Sequence, residues 1–139
     1  MSCNHNTCLK FAYCKGVAAA LILPKYRKGS IKKDNLILLG RERRGNYARQ
    51  CNVCAGKIES RDNKCLIRAL QRELEEEFKI NVYRFSDFDA LFRDPASGIR
   101  CFNIGKTLVF VGILPGGFSR SPIKTQMHHD CRSHPNNAY

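Results

Sequence analysis

Between positions 66 and 78 an apolar side chain returns every fourth residue, as Leu66, Leu70, Leu74 and Phe78, with Ile67 beside them. That recurrence is one face of an α-helix, so the spacing predicts a helix from about Asn63 to Phe78 with the stripe buried. Asp62 or Asn63 is expected to cap it by accepting a hydrogen bond from an unpaired backbone N–H of the first turn. The same segment carries Glu73, Glu76 and Glu77 at i, i+3 and i+4, a second stripe made of carboxylates. Like charges at this spacing weaken an isolated helix by about a few tenths of a kcal/mol per pair. A cation on the stripe removes the conflict, and Mg²⁺, a hard ion that takes carboxylate and water oxygens, suits it. The competing reading is a solvated acidic face balanced by Arg68 and Arg72, which is how most Glu runs behave. Gly56 and Lys57, just ahead of the helix, shift the balance. Glycine lets backbone approach a phosphate or metal closely, and the lysine adds positive charge.

Around this helix the chain reads as one α/β unit. With 139 residues, 43% of them hydrophobic, it has enough apolar side chain for a core that needs no disulfides. Val17 to Leu23 and Leu36 to Leu39 read as two strands joined by a basic Gly/Ser loop from Lys25 to Asn35, a long hairpin. Cys51 to Cys54 alternates into Gly56 as a short strand. Strand-like segments are expected within Val82 to Phe92 and Cys101 to Leu114, separated by a Pro95 to Gly98 turn, with Leu108 to Val111 the clearest. The first fifteen residues read as a lead-in, and 116–139 as an irregular tail without period. The eight cysteines are too few for a disulfide scaffold, and several sit in apolar runs, which suits reduced thiols in the cytoplasm or, as the alternative, the nucleus. No apolar run reaches the length of a membrane span, so no membrane partner is expected. A formal net charge of +12 favours polyanionic partners without choosing among them.

The segment from Gly56 through Arg72-Glu73-Leu74-Glu75-Glu76-Glu77 to Ile80 resembles the Nudix box, whose pattern is Gly, five residues, Glu, seven residues, then Arg-Glu-aliphatic-x-Glu-Glu-x-Gly-aliphatic. Gly56, Arg72-Glu73-Leu74, Glu76-Glu77 and Ile80 match. Asp62 stands where Glu is usual, nine residues rather than seven separate it from Arg72, and Lys79 replaces the closing Gly. The flanking strands follow the family's order as well, so the resemblance runs from about Gly16 to Leu114. It implies a single Nudix-type domain over 1–139, an α/β/α sandwich around a mixed β-sheet. The final helix usual in the family is not found, and the chain is expected either to be cut short or to end atypically.

The resemblance further implies that Glu73, Glu76 and Glu77, with the Gly56 carbonyl, hold Mg²⁺, or Mn²⁺ in its place, and that Arg72 orients the carboxylates. The implied activity is hydrolysis of a phosphoanhydride bond in a nucleoside diphosphate derivative, such as the 5′ cap of RNA or a nucleoside triphosphate. The general base is open between Glu76, Glu77 and a tail group such as Asp130. Arg41, Arg43 and Lys57 flank the box and are candidate phosphate contacts, each weighed against a solvated basic surface; Tyr47 is a weaker candidate for base stacking. The alternative function is a degenerate Nudix fold that binds nucleotide or RNA without turnover. Cys51-x-x-Cys54 has zinc spacing, yet small apolar side chains belong in that strand, so packing is the expected role.

Overall fold

A computed structural model describes residues 5–26, 33–41 and 51–115. In chain order the elements are α1 (Asn6–Lys10), β1 (Gly16–Tyr26), β2 (Lys33–Ile37), β3 (Gly40–Arg41), β4 (Cys51–Asn52), β5 (Cys54–Lys57), a 3₁₀ turn (Ser60–Asp62), α2 (Leu66–Phe78), α3 (Phe85–Phe92), β6 (Arg93–Asp94), β7 (Gly98–Ile99), β8 (Cys101–Ile104) and β9 (Thr107–Ile113). The long strand β1 organises the sheet. One edge pairs in parallel with β9, Gly16 opposite Thr107 through Ile22 opposite Ile113. The other is shared by two antiparallel partners, β5 against Gly16 to Ala19 and β2 against Ile22 to Tyr26. With β8 antiparallel to β9, the sheet is mixed, as expected.

Side-chain alternation makes the two faces of this sheet unlike. Val17, Ala19 and Leu21 in β1 and Leu108 and Phe110 in β9 point to one face and are fully buried. A methyl group added at Gly56 would meet Glu73 of α2, and one added at Gly112 would meet Phe92 of α3, so both helices lie on this face. Leu66, Leu70, Leu74 and Phe78 of α2 pack into the core there, each burial stabilising by about 1.5–3 kcal/mol. On the opposite face Phe102, Ile104 and Ile37 are exposed. The described residues place no helix over that face, so the second helical layer of the expected sandwich is not among them. Nor is any described helix long and apolar enough to cross a membrane.

Four expectations about local structure are corrected. The lead-in contains α1, which drops Cys8 into the core with its Sγ 3.8 Å from Cys65 Sγ; a single buried side chain leaves no period to read. Val82 to Phe92 is not strand but ends in α3. Its aromatics suggest β structure, yet Phe88 and Phe92 are an i, i+4 pair whose ring centroids lie 4.8 Å apart with the planes tilted by 39°, and both meet Phe110 edge-on. The helix α2 starts at Leu66 rather than near Asn63, and Cys65 occupies the N-cap position in place of Asp62 or Asn63. Asp62 is drawn instead into the contacts described next. The β9 strand matches the sequence reading, and the hairpin is present with longer arms, β1 running to Tyr26 and β2 starting at Lys33 inside the expected loop and ending at Ile37. The expected strand Cys51 to Cys54 is divided between β4 and β5 in different sheets.

Candidate active site

The site is built where β5 runs into α2. Gly56 faces the helix, and a Cβ there would stand 2.0 Å from Glu73 Oε1, so only glycine lets the Glu73 carboxylate rest on the strand. The chain then forms the 3₁₀ turn, in which the Glu59 N–H donates to Asp62 Oδ2 at 2.8 Å. Asn63 and Lys64 follow with φ of 52° and 59°, two consecutive left-handed residues that turn the chain into α2. The two residues added relative to the Nudix pattern are thus absorbed before the helix begins, and the stretch Arg72 to Glu77 stays on uninterrupted helix.

Arg72 is the hub. Its Nε and Nη2 donate to the two oxygens of Asp62, each at 2.9 Å, and Nη2 also donates to the Lys57 carbonyl at 3.1 Å. Nη1 donates to Glu73 at 2.8 Å and to Glu76 at 3.3 Å. Arg72, Asp62 and Glu73 are all buried, so these charges are held by one another rather than by water. Burial pushes the Asp62 carboxyl up, but the Arg72 hydrogen bonds, the Glu59 N–H and the charges of Arg72 and Arg61 outweigh it and hold Asp62 below the usual carboxylate range. Hydrogen bonding to Asp62, above all, raises the Arg72 guanidinium further. Glu73 shifts the other way. Burial dominates there and, with the nearby Glu76 charge, raises its pKa against the pull of Arg72.

Glu76, with Glu75 and Asp62, borders a cleft of about 530 Å³. Glu76, about half exposed, takes a hydrogen bond from Arg61 Nη2 at 2.9 Å, and Arg61 also pairs with Glu59. Glu77 accepts from the Ala55 N–H at 3.3 Å, and its carboxylate lies near Glu73 and the Cys54 thiol. Arg68 and Tyr83 complete the cleft wall, and Gln71 ties α2 to the following loop by donating to the Val82 carbonyl at 3.0 Å.

Of the residues predicted from sequence, Gly56, Arg72, Glu73, Glu76 and Glu77 come together here. Lys57 is exposed beside them, and its carbonyl rather than its side chain makes the recorded contact. Arg41 pairs through its backbone with Cys51; its side chain, together with Arg43, Tyr47 and Asp130, lies outside the described residues. Glu59, Arg61 and Tyr83 were not anticipated. The Glu59-x-x-Asp62 spacing carries a capping-box signature that points to the first of them. Cys54 is fully buried in the core, and burial pushes its thiol pKa up.

Among the described residues no three Asp, Glu, His or Cys groups stand ready in metal-holding geometry, because Arg61 and Arg72 are interleaved with the carboxylates. The donor set nevertheless fits a hard divalent cation. Glu73 is pressed onto Gly56 with Glu77 beside it, and neighbouring carboxylates repel one another less when a cation lies between them. Glu76 stands one turn from Glu73 and half open to the cleft.

No protein-family model and no curated protein matches the chain. Two solved structures are similar to it. A mutT/nudix family protein from Listeria innocua is 22% identical, the match covering 72% of this chain and 64% of that one with a TM-score of 0.42. NrtR of Shewanella oneidensis, solved in complex with a 27mer DNA, is 16% identical, the match covering 82% of this chain and 46% of that one with a TM-score of 0.41. The chain therefore spans less than two thirds of the length of either protein.

Proposed function

We propose that this chain is a Nudix-type hydrolase that cleaves a phosphoanhydride bond of a nucleoside diphosphate derivative with Mg²⁺, or Mn²⁺ in its place. The observation that carries the reading is the Arg72 hub. A buried guanidinium, clamped by Asp62 and the Lys57 carbonyl, fixes Glu73 and Glu76 on the side of α2 that meets Gly56. A merely solvated acidic face has no need of such a clamp.

In this mechanism Glu73, Glu76 and Glu77, with the Gly56 backbone, would hold the divalent cation, which would supply charge neutralisation at the diphosphate and a more acidic water. Arg72 keeps the carboxylates in register and does not touch substrate. Glu76, the most open of the three, would take the proton of the attacking water, with Glu77 or Asp130 as the other candidates. Arg61 and Lys57, with Arg41 and Arg43 as further candidates, offset the charge of the leaving phosphate. Tyr83, 52% exposed at the cleft, offers a ring for a nucleobase. The net charge of +12 favours the cap of an RNA as substrate, with nucleoside triphosphates next, in the cytoplasm or nucleus and with no membrane partner.

One observation favours a second reading, a fold that binds nucleotide or RNA without turnover. Both Glu76 oxygens are engaged by arginines, an arrangement a non-catalytic site can keep indefinitely. Product release from capped RNA, nucleoside triphosphates, dinucleoside polyphosphates and ADP-ribose separates the two. The hydrolase reading expects Mg²⁺-dependent turnover of at least one class, lowered by about a hundredfold or more in Glu76→Gln. Binding of the panel with no turnover by the folded, Mg²⁺-supplied chain selects the second reading.

A further inference from the structure

Away from the carboxylate cluster, α1, the first turn of α2 and the β6–β7 hairpin border an open-sided cavity of about 830 Å³ that the hydrolase reading does not use. We propose that it binds an organic phosphate of mononucleotide size. Among the described residues its lining contains Lys10, Arg93 and Arg100 and no Asp or Glu, so the local field favours an anion. Arg100 is already fixed in place. Its Nη1 donates to the Leu91 carbonyl at 2.9 Å and its Nη2 reaches the Arg93 carbonyl at 3.3 Å, which locks the fork, and no carboxylate among the described residues pairs with it. Arg93 is tempered by Asp89 at 3.0 Å, so Lys10 and Arg100 carry most of the attraction.

The other wall is apolar. Phe11, Ile67 and Ile99 line the same cavity, and Phe11 is a half-buried aromatic with the Lys10 ammonium 5.4 Å from its ring centroid. A cationic rim beside an apolar wall suits a ligand with a phosphate at one end and a flat or hydrocarbon body at the other. The volume falls in the range of about 300–1,000 Å³ typical of small-molecule sites. The cavity shares no lining residue with the cleft at Glu76. Ile67 and Glu73 are six residues apart on α2, about 9 Å of helix axis. The two sites are therefore distinct, and this one stands whether or not the chain is a hydrolase.

The test is an NMR titration of the full ¹⁵N-labelled chain in EDTA with AMP, adenosine and inorganic phosphate, repeated on Lys10→Glu. Lys10 is exposed, so this variant keeps the fold, and its unperturbed spectrum elsewhere provides the check. Amide shifts induced by AMP are expected at Lys10, Phe11 and Ser97 to Cys101. AMP should bind about tenfold or more tighter than either adenosine or phosphate, and Lys10→Glu should weaken it by about tenfold or more. No AMP binding, shifts confined to Gly56 to Arg61 and the end of α2, phosphate binding as tightly as AMP, or affinity unchanged in Lys10→Glu would each overturn the proposal.

Discussion

The two sides of α2 are held by different physics. Leu66, Leu70, Leu74 and Phe78 are fixed by removal from water, a non-directional force that tolerates changes of shape. Arg72, Glu73, Glu76 and Glu77 are fixed by directed hydrogen bonds among charges, where each group depends on particular partners and on the backbone that positions them. The first side makes the helix, and the second makes the site. The difference teaches that losing one partner should be graded on the apolar side and abrupt on the charged side.

The sharpest way to break this comparison is to remove the hub. Arg72→Ala strands the buried Asp62 and Glu73 carboxylates and is expected to cost about 3–5 kcal/mol, as much as the about 2–5 kcal/mol expected for Leu70→Ala on the other side. Urea unfolding of both variants measures it; a cost for Arg72→Ala under about 1 kcal/mol would mean that the hub is not formed in solution. Next comes Gly56→Ala. The added methyl overlaps Glu73, so the carboxylate must swing off the strand, at a cost of about 1–3 kcal/mol and with loss of turnover. Full activity in this variant would show that Glu73 does not need the strand beneath it.

A smaller effect concerns acid. The folded Asp62 titrates below its unfolded value, so the unfolded chain binds more protons in that range and stability rises with pH. The contribution of Asp62 is complete above the unfolded value, near pH 4, and is lost as pH falls through the folded one. Asp62→Asn should therefore show a shallower acid limb in a stability-versus-pH series than the parent; identical slopes would separate Asp62 from Arg72. The smallest change is at Lys79, the C-cap of α2, which holds φ 54° where the Nudix pattern has Gly. Lys79→Gly should raise stability by about 1 kcal/mol and leave turnover unchanged, since the cap lies outside the charged stripe.

Much of this site was legible because helical periodicity places side chains three and four residues apart on one face. Glu73, Glu76 and Glu77 could be grouped from spacing alone, as could the leucines behind them. The partner of Arg72 could not. Asp62 reaches it only because a 3₁₀ turn and two left-handed residues, Asn63 and Lys64, fold the loop back, and a helix pattern does not encode that turn. Asp62 was weighed as a helix cap for the same reason. The fold shows a parallel contrast. β1 and β9 are plain in the sequence as apolar runs, whereas the phenylalanines of α3 favour β structure locally and only packing on Phe110 resolves them as a helix. The Cys8–Cys65 contact joins residues far apart in sequence and leaves no local signal at all.

The central claim is that the charged side of α2 exists to hold a divalent cation against Gly56. Mn²⁺ titration followed by electron paramagnetic resonance, on the parent chain and on Glu73→Gln and Glu76→Gln, tests it without any choice of substrate. The account predicts saturable Mn²⁺ binding that Mg²⁺ displaces and that either substitution weakens by about tenfold or more, with the fold intact. Absence of saturable binding in the parent, or binding that neither substitution alters, would contradict it.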